Sequence, residues 1–201
     1  MKRLIMCEGK HDSLFIGKIC SNLNMPEPKI FDQLNAKETS SQDAETVEFR
    51  RFFQRSSPYN LLVKSECGKD NAIKIYSRSM DFFIRTKELK KAILMLDLDG
   101  SALDTKLKKI SNTIKGKNVA EPIHIKSNTI KDTNLFYFLE NTIQIMEDNH
   151  ELGKFYLVFF KRSLEKELEE IENREDVTIE NKILQFVEIE EVQNIFSLIL
   201  N

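Results

Sequence analysis

Three carboxylates stand where two apolar runs end. Leu4-Ile5-Met6-Cys7 runs into Glu8-Gly9-Lys10-His11-Asp12, and Ala92-Ile93-Leu94-Met95-Leu96 runs into Asp97-Leu98-Asp99-Gly100. A buried strand that stops at a carboxylate, with a loop and a helix behind it, is how α/β proteins build sites. One glutamate from one strand and two aspartates from another could hold a hard divalent cation, and Mg²⁺ commonly uses only one or two carboxylates and keeps several waters. Such a cation neutralises the non-bridging oxygens of a phosphodiester while a neighbouring group activates water or a hydroxyl. The pattern points to Mg²⁺-assisted phosphate chemistry, with solvated strand-end carboxylates as the plain alternative.

Around these acids stand residues suited to phosphate. Gly9 would let the backbone approach an anion closely, and the helix that follows presents its N-terminus to it. Lys10, and Lys69 in the loop Gly68-Lys69-Asp70-Asn71, could clamp phosphates as point charges, or be ordinary surface lysines. Asp12 reads as the N-cap of the first helix, or as a metal ligand through water. His11 could contact substrate, although a lone exposed histidine is more often bland, and His124 reads as core or strand edge. Cys7, His11 and Cys67 could converge as zinc ligands, but they lack the tight pairs and the fourth ligand of a zinc site. Phe49-Arg50-Arg51-Phe52-Phe53-Gln54-Arg55 could stack bases and pair phosphates. An amphipathic helix with phenylalanines inward and arginines outward explains it more simply.

The elements that must position these residues alternate. Residues 3–8 read as a strand and 13–23 as a helix stopped by Pro26 and Pro28. Residues 32–58 read as a polar insertion with a short helix at 43–55. Asn60 to Lys64 is a strand, 71–86 a helix, Ala92 to Leu96 a charge-free central strand, Leu103 to Ile114 a helix and Ile123 to Ile125 a fourth strand. This predicts an α/β fold, a parallel sheet with helices on its faces. Leu135 to Met146 reads as either helix or strand, and Phe155 to Phe160 as a strand. Ser163 caps a charged helix whose Glu165 to Asp176 run is a solvated face. Residues 179–200 carry helical apolar spacing.

The 201 residues suffice for one sizeable core; 41% are hydrophobic and 31% charged, and the formal net charge of −2 gives no global basic signature for nucleic acid. No run is long enough to span a membrane, there is no secretory h-region, and three cysteines without a CxxC leave no disulfide framework. The expectation is a cytoplasmic protein with no membrane partner.

The two strand-end motifs, in this order, resemble a Toprim domain, the module shared by topoisomerases, bacterial-type primases, OLD-family nucleases, some ribosomal RNA maturases and certain recombination mediators. Its first motif is an apolar strand ending in Glu-Gly with an aspartate shortly after, and its second a strand ending in Asp-x-Asp with a glycine close behind. Gly68-Lys69-Asp70-Asn71 resembles a Gly-Lys-x-Asn loop of small stand-alone Toprim proteins and OLD-like nucleases. The resemblance covers residues 1–130 and implies a Toprim-like Rossmannoid sheet, with residues 131–201 as a C-terminal mixed α/β extension packed on the same core. It implies that Glu8 acts as general acid/base and that Asp97 and Asp99 bind Mg²⁺ or Mn²⁺, with Glu8 as a further donor. Gly9, Lys10, Gly68, Lys69 and Gly100 would lie against the phosphates. There are departures. Gly100 follows the aspartate pair at once where many members place it later, and the third acid that type II topoisomerases carry two residues before the pair is Met95 here. Asp104, on the next helix, is the candidate substitute.

The leading expectation is nuclease-type hydrolysis of nucleic acid by a stand-alone Toprim protein, because the chain is too short for strand passage. The alternative is a non-catalytic module that binds a nucleotide or nucleic acid. A third possibility is a component that docks a partner chain or a second copy through the apolar segment Ile183 to Leu200.

Overall fold

The computed structural model describes residues 2–32, 51–54, 57–118, 122–171 and 178–201. One seven-stranded sheet runs through them in the order β2-β3-β1-β4-β7-β6-β5. The strands are β1 (Lys2–Cys7), β2 (Lys29–Asp32), β3 (Leu61–Ser65), β4 (Leu89–Asp97), β5 (Ile123–Asp132), β6 (Phe136–Ile145) and β7 (Glu151–Phe160). The helices are α1 (Lys10–Asn22), α2 (Lys69–Arg78), α3 (Met80–Arg85), α4 (Leu103–Asn118), α5 (Leu164–Glu170), α6 (Ile179–Phe186) and α7 (Glu190–Leu200).

The central strands are apolar without interruption because both faces are covered. In β1, Ile5 and Cys7 face one layer while Leu4 and Met6 face the other, and β4 divides the same way, Ile93 and Met95 against Leu94 and Leu96. The first layer is built by α1, α5, α6 and α7, whose Phe15, Leu164, Phe186 and Phe196 are buried on it. The second is built by α2, α3 and α4, through Tyr76, Phe83 and Ile110. Burying side chains of this size contributes roughly 1.5–3 kcal/mol each, so the two layers dominate the stability of the fold.

The α/β expectation holds, with a mostly parallel sheet flanked by helices. The pairs β2·β3, β3·β1, β1·β4 and β4·β7 are parallel, while β7·β6 and β6·β5 are antiparallel. A wholly parallel sheet is therefore corrected at one edge. Its fourth strand, expected over Ile123 to Ile125, runs on to Asp132 and starts a meander instead of a crossover. Leu135 to Met146 resolves as strand over Phe136–Ile145, which pairs antiparallel with β7 on one side and β5 on the other. Phe155 to Phe160 belongs to a longer strand that lies directly beside β4.

Two further differences have local causes. The helix expected over 71–86 breaks at Ser79, whose N–H closes on both Ile75 O and Tyr76 O, and the break turns Met80 and Phe83 into the second layer. Strand β2, absent from the sequence reading, forms just after Pro28 and, among the described residues, pairs only with β3. Most of the helix read over 43–55 lies outside the described residues, which include only Arg51 to Gln54 of the Phe49 to Arg55 run. Phe52 and Phe53 are described, and both are buried, with Phe52 the more deeply so. The apolar side of Ile183 to Leu200, read as a docking surface, is covered by the chain's own sheet through Ile183, Phe186, Ile195, Phe196 and Ile199.

Candidate functional site

Strands β1 and β4 are parallel neighbours. The chain leaves β1 through α1, on the first layer and toward β2 and β3. It leaves β4 through α4, on the second layer and toward the β7 side. Connections that part in opposite directions leave a crevice at the carboxyl ends of the two strands, where α/β sheets bind ligands. Backbone hydrogen bonds hold the surrounding loops in one rim. Glu66 N–H donates to Cys7 O at 2.9 Å and Gly68 N–H to Glu8 O at 3.0 Å, while Leu98 N–H donates to Phe160 O at 3.0 Å.

That crevice is a pocket of about 430 Å³ with five carboxylates on its wall: Glu8, Asp12, Asp97, Asp99 and Glu165. Glu8 Oε1 accepts the N–H of Asp97 at 2.7 Å, which orients the glutamate across the two strands. Asp12 Oδ2 accepts the N–H of Gly9 at 3.0 Å. Asp12 therefore caps α1 from its third residue, with Gly9 in the N-cap position assigned to the aspartate from the sequence. Asp97 is buried, and its Oδ1 has no hydrogen-bond partner among the described residues. Asp99 reaches the same pocket by a turn and not by strand alternation: β4 ends at Asp97, Asp99 has φ 49° and Gly100 φ 73°. Two successive left-handed residues make the glycine necessary there.

The crowding of acids has a measurable electrostatic consequence. Burial, then the charges of Asp12, Glu8, Glu165 and Asp99, push the Asp97 carboxyl up to about 8. Burial and the charges of Glu8 and Glu165 push Asp12 to about 7, against the Gly9 N–H that lowers it. Burial raises Glu8 as well, opposed by the Asp97 N–H and by Lys69. Lys69 is the cation set among these acids: its Nζ lies 3.4 Å from Glu8 Oε1 and pairs with Asp99 Oδ2. Burial pulls that ammonium down, but the hydrogen bond to Asp99 and the charges of Glu8, Asp99 and Asp97 outweigh it and raise it. Among the described residues no three His, Cys, Asp or Glu side chains already stand around one common metal position.

Gly9, Lys10, His11 and Gly68 line the pocket with the acids. Gly9 is extended, at φ −150°, with no atom near the place of a Cβ, so open space and not a special conformation distinguishes it. Gly68, at φ 99°, does need to be glycine. Gly100 shapes the turn, and Asp104 stands exposed in the first turn of α4, outside the pocket lining. Cys7 is buried with Sγ on the carbonyls of Gly9 and Lys64, and burial raises its thiol; Cys67 is exposed.

Two residues of the pocket wall, and one lysine outside its lining whose charge is felt there, were missed by the sequence reading. Ser163 and Glu165 line the pocket, and Glu165 Oε1 lies 3.6 Å from His11 Nδ1. Glu165, taken from the sequence for part of a solvated face, is brought in because β7 pairs with β4 and sets Phe160 opposite Asp97. Lys106 is also close: burial and the charge of Lys69 lower its ammonium, and Asp99 and Glu8 raise it. Its place one turn into α4, behind Asp97-x-Asp99-Gly100, was the available signal.

The model of a family described as protein of unknown function, DUF3226, matches residues 2–188, and the chain belongs to that family. No curated protein and no solved structure matches it.

Proposed function

We propose that this DUF3226 member is a Toprim-type protein that hydrolyses phosphodiester bonds in nucleic acid with the help of Mg²⁺ or Mn²⁺. The observation that carries the reading is the buried Asp97 Oδ1, without a hydrogen-bond partner among the described residues, at a pocket that four other carboxylates share. A buried carboxylate oxygen without a donor costs free energy unless something arrives to neutralise it, and perturbed acids in a cleft mark functional sites. Hard oxygen donors in that number fit a hard divalent cation, which would be held by Asp97, Asp99 and Glu8, with Asp12 and Glu165 beside them. When bound, the ion would neutralise phosphate charge and help to activate water.

The chain's own residues do the rest. Glu8, buried and raised, retains a proton closer to neutrality than an exposed glutamate and is held across the strands by the Asp97 N–H, as a general acid/base requires. Lys10, at the exposed start of α1, and Lys69 supply positive charge for phosphate oxygens, and the open space at Gly9 admits one. His11, beside Glu165, is placed at the pocket wall to orient that carboxylate or the substrate.

The test is cleavage of single-stranded DNA, duplex DNA and RNA with Mg²⁺ or Mn²⁺, by wild type and Asp97→Asn. Equal activity in the two proteins would sink the reading. A second reading, a module that binds a nucleotide or nucleic acid without turnover, is favoured by Lys69, which already neutralises part of the site. Nucleotide-dependent thermal stabilisation with no cleavage at enzyme excess would select it.

A further inference from the structure

We infer that Lys69 is a resident counter-ion of this pocket, which a divalent cation must displace in order to load, and which is thereby released to hold a phosphate. The inference rests on the metal-assisted reading above and adds its regulation: the metal-free site is closed by its own lysine, and loading the metal prepares the substrate clamp.

Three observations carry it. Lys69 Nζ contacts Glu8 and Asp99, two of the three acids that would hold the ion, and its side chain is only 16% exposed. An ammonium has three donors and a single charge, whereas Mg²⁺ organises an octahedron of oxygens. Lys69 accordingly leaves the third acid unsatisfied: among the described residues Asp97 Oδ1 has no hydrogen-bond partner while the lysine sits on the other two. A divalent cation would satisfy what the lysine cannot. Finally, the lysine is mounted to move. It is the first residue of α2, behind Gly68 at φ 99°, and the Gly68 N–H is tied to Glu8 O at 3.0 Å. The backbone is anchored, and the flexible four-carbon stem can swing its charge without moving it. The charges of Lys69 and Lys106 oppose one another, and a Lys69 taken off its carboxylates gains most from a new anion. A phosphate of a nucleic-acid backbone is such an anion.

Coupling of this kind is reciprocal: if Lys69 opposes the metal, the metal must expose Lys69. Calorimetric titration with Mn²⁺, without phosphate, reads the first half in wild type, Lys69→Met, Lys106→Met and Asp97→Asn. Removing two part-buried ion pairs should tighten Mn²⁺ binding by roughly tenfold in Lys69→Met. Lys106→Met, which removes a neighbouring charge but no such contact, should gain clearly less. Equal affinity in wild type and Lys69→Met, or an equal gain in Lys106→Met, overturns the inference while metal binding lost in Asp97→Asn leaves the metal reading standing. No Mn²⁺ binding to any of the proteins overturns both.

The second half is read on the unmodified protein, so it survives a Lys69→Met variant that fails to fold. Acetylation of Lys69 by acetic anhydride, followed by mass spectrometry with Lys131 as internal control, should accelerate about 3–10-fold at saturating Mg²⁺. An unchanged rate relative to Lys131 overturns the displacement.

Discussion

Two groups of buried and half-buried acids lie at the same end of the sheet and are treated in different ways. At the end of β3, Glu66 is fully buried and paired with the buried Lys64, and at the end of β2 Asp32 accepts the hydroxyls of Ser13 at 2.6 Å and Ser65 at 2.8 Å. Further in, after β1 and at the end of β4, Asp12 and Asp97 are almost as buried as Glu66, yet they face other carboxylates, and Asp97 Oδ1 has no hydrogen-bond partner among the described residues. Each acid of the first group has a lysine or hydroxyl partner from within the chain, and Asp32 ties β2, β3 and α1 together. The second is left short of positive charge. Native proteins pair nearly all buried polar groups, and Asp97 Oδ1 is a buried carboxylate oxygen without a donor among the described residues. The difference separates scaffold from site more sharply than burial or charge alone.

The largest effect should come from breaking the satisfied group. Lys64→Met leaves Glu66 buried without the ammonium it pairs with, and should cost about 3–5 kcal/mol in urea unfolding. A Lys64→Met/Glu66→Leu double variant should recover most of it. If the single variant is as stable as wild type, the pair does not hold the scaffold.

The open group should behave the other way. Asp97 protonates near pH 8 in the fold and near pH 4 unfolded, so the native state binds the extra proton between those values and stability falls as pH rises through that window. Asp97→Asn removes the penalty. It should raise apo-protein stability by about 1–3 kcal/mol at pH 8, a Tm gain of about 2–4 °C per kcal/mol, and the gain should vanish by about pH 4. A variant less stable than wild type at pH 8 would place Asp97 in the scaffold instead.

Glu165→Gln removes an acid that touches the pocket from a different element. It should weaken Mn²⁺ binding about tenfold by calorimetry, with little change in unfolding. An unaltered affinity would leave Glu165 as a partner of His11 alone.

The smallest effects concern the glycines. Gly100→Ala forces a side chain into φ 73° and should cost about 1 kcal/mol. Gly9→Ala meets no neighbouring atom and should stay within about 0.5 kcal/mol of wild type. A loss of substrate or phosphate binding in Gly9→Ala with unchanged stability would mark its open space as functional.

The apolar runs of β1 and β4 were legible because burial on both faces forbids charge within them, so Glu8 and Asp97 announce the strand ends. Lys29 to Asp32 gave no such sign. It is a four-residue edge strand that exists because β3 offers it a partner. The 71–86 helix was legible as helix, but its break at Ser79 depends on where the second layer lies.

What the residues determined by themselves was the local alternation of strand and helix, the two strand ends and the acids on them, since these follow from hydrophobic period and from the cost of burying charge. The meander β5-β6-β7, and with it the arrival of Ser163 and Glu165 beside Asp97, was decided by tertiary structure alone. Strand pairing is a contact between distant segments, and no local pattern in Phe155 to Phe160 says that its neighbour is β4. The same holds for Lys69. Its sequence places a cation in a loop, but only the folded sheet puts that cation on Glu8 and Asp99, while Asp97 Oδ1 has no hydrogen-bond partner among the described residues.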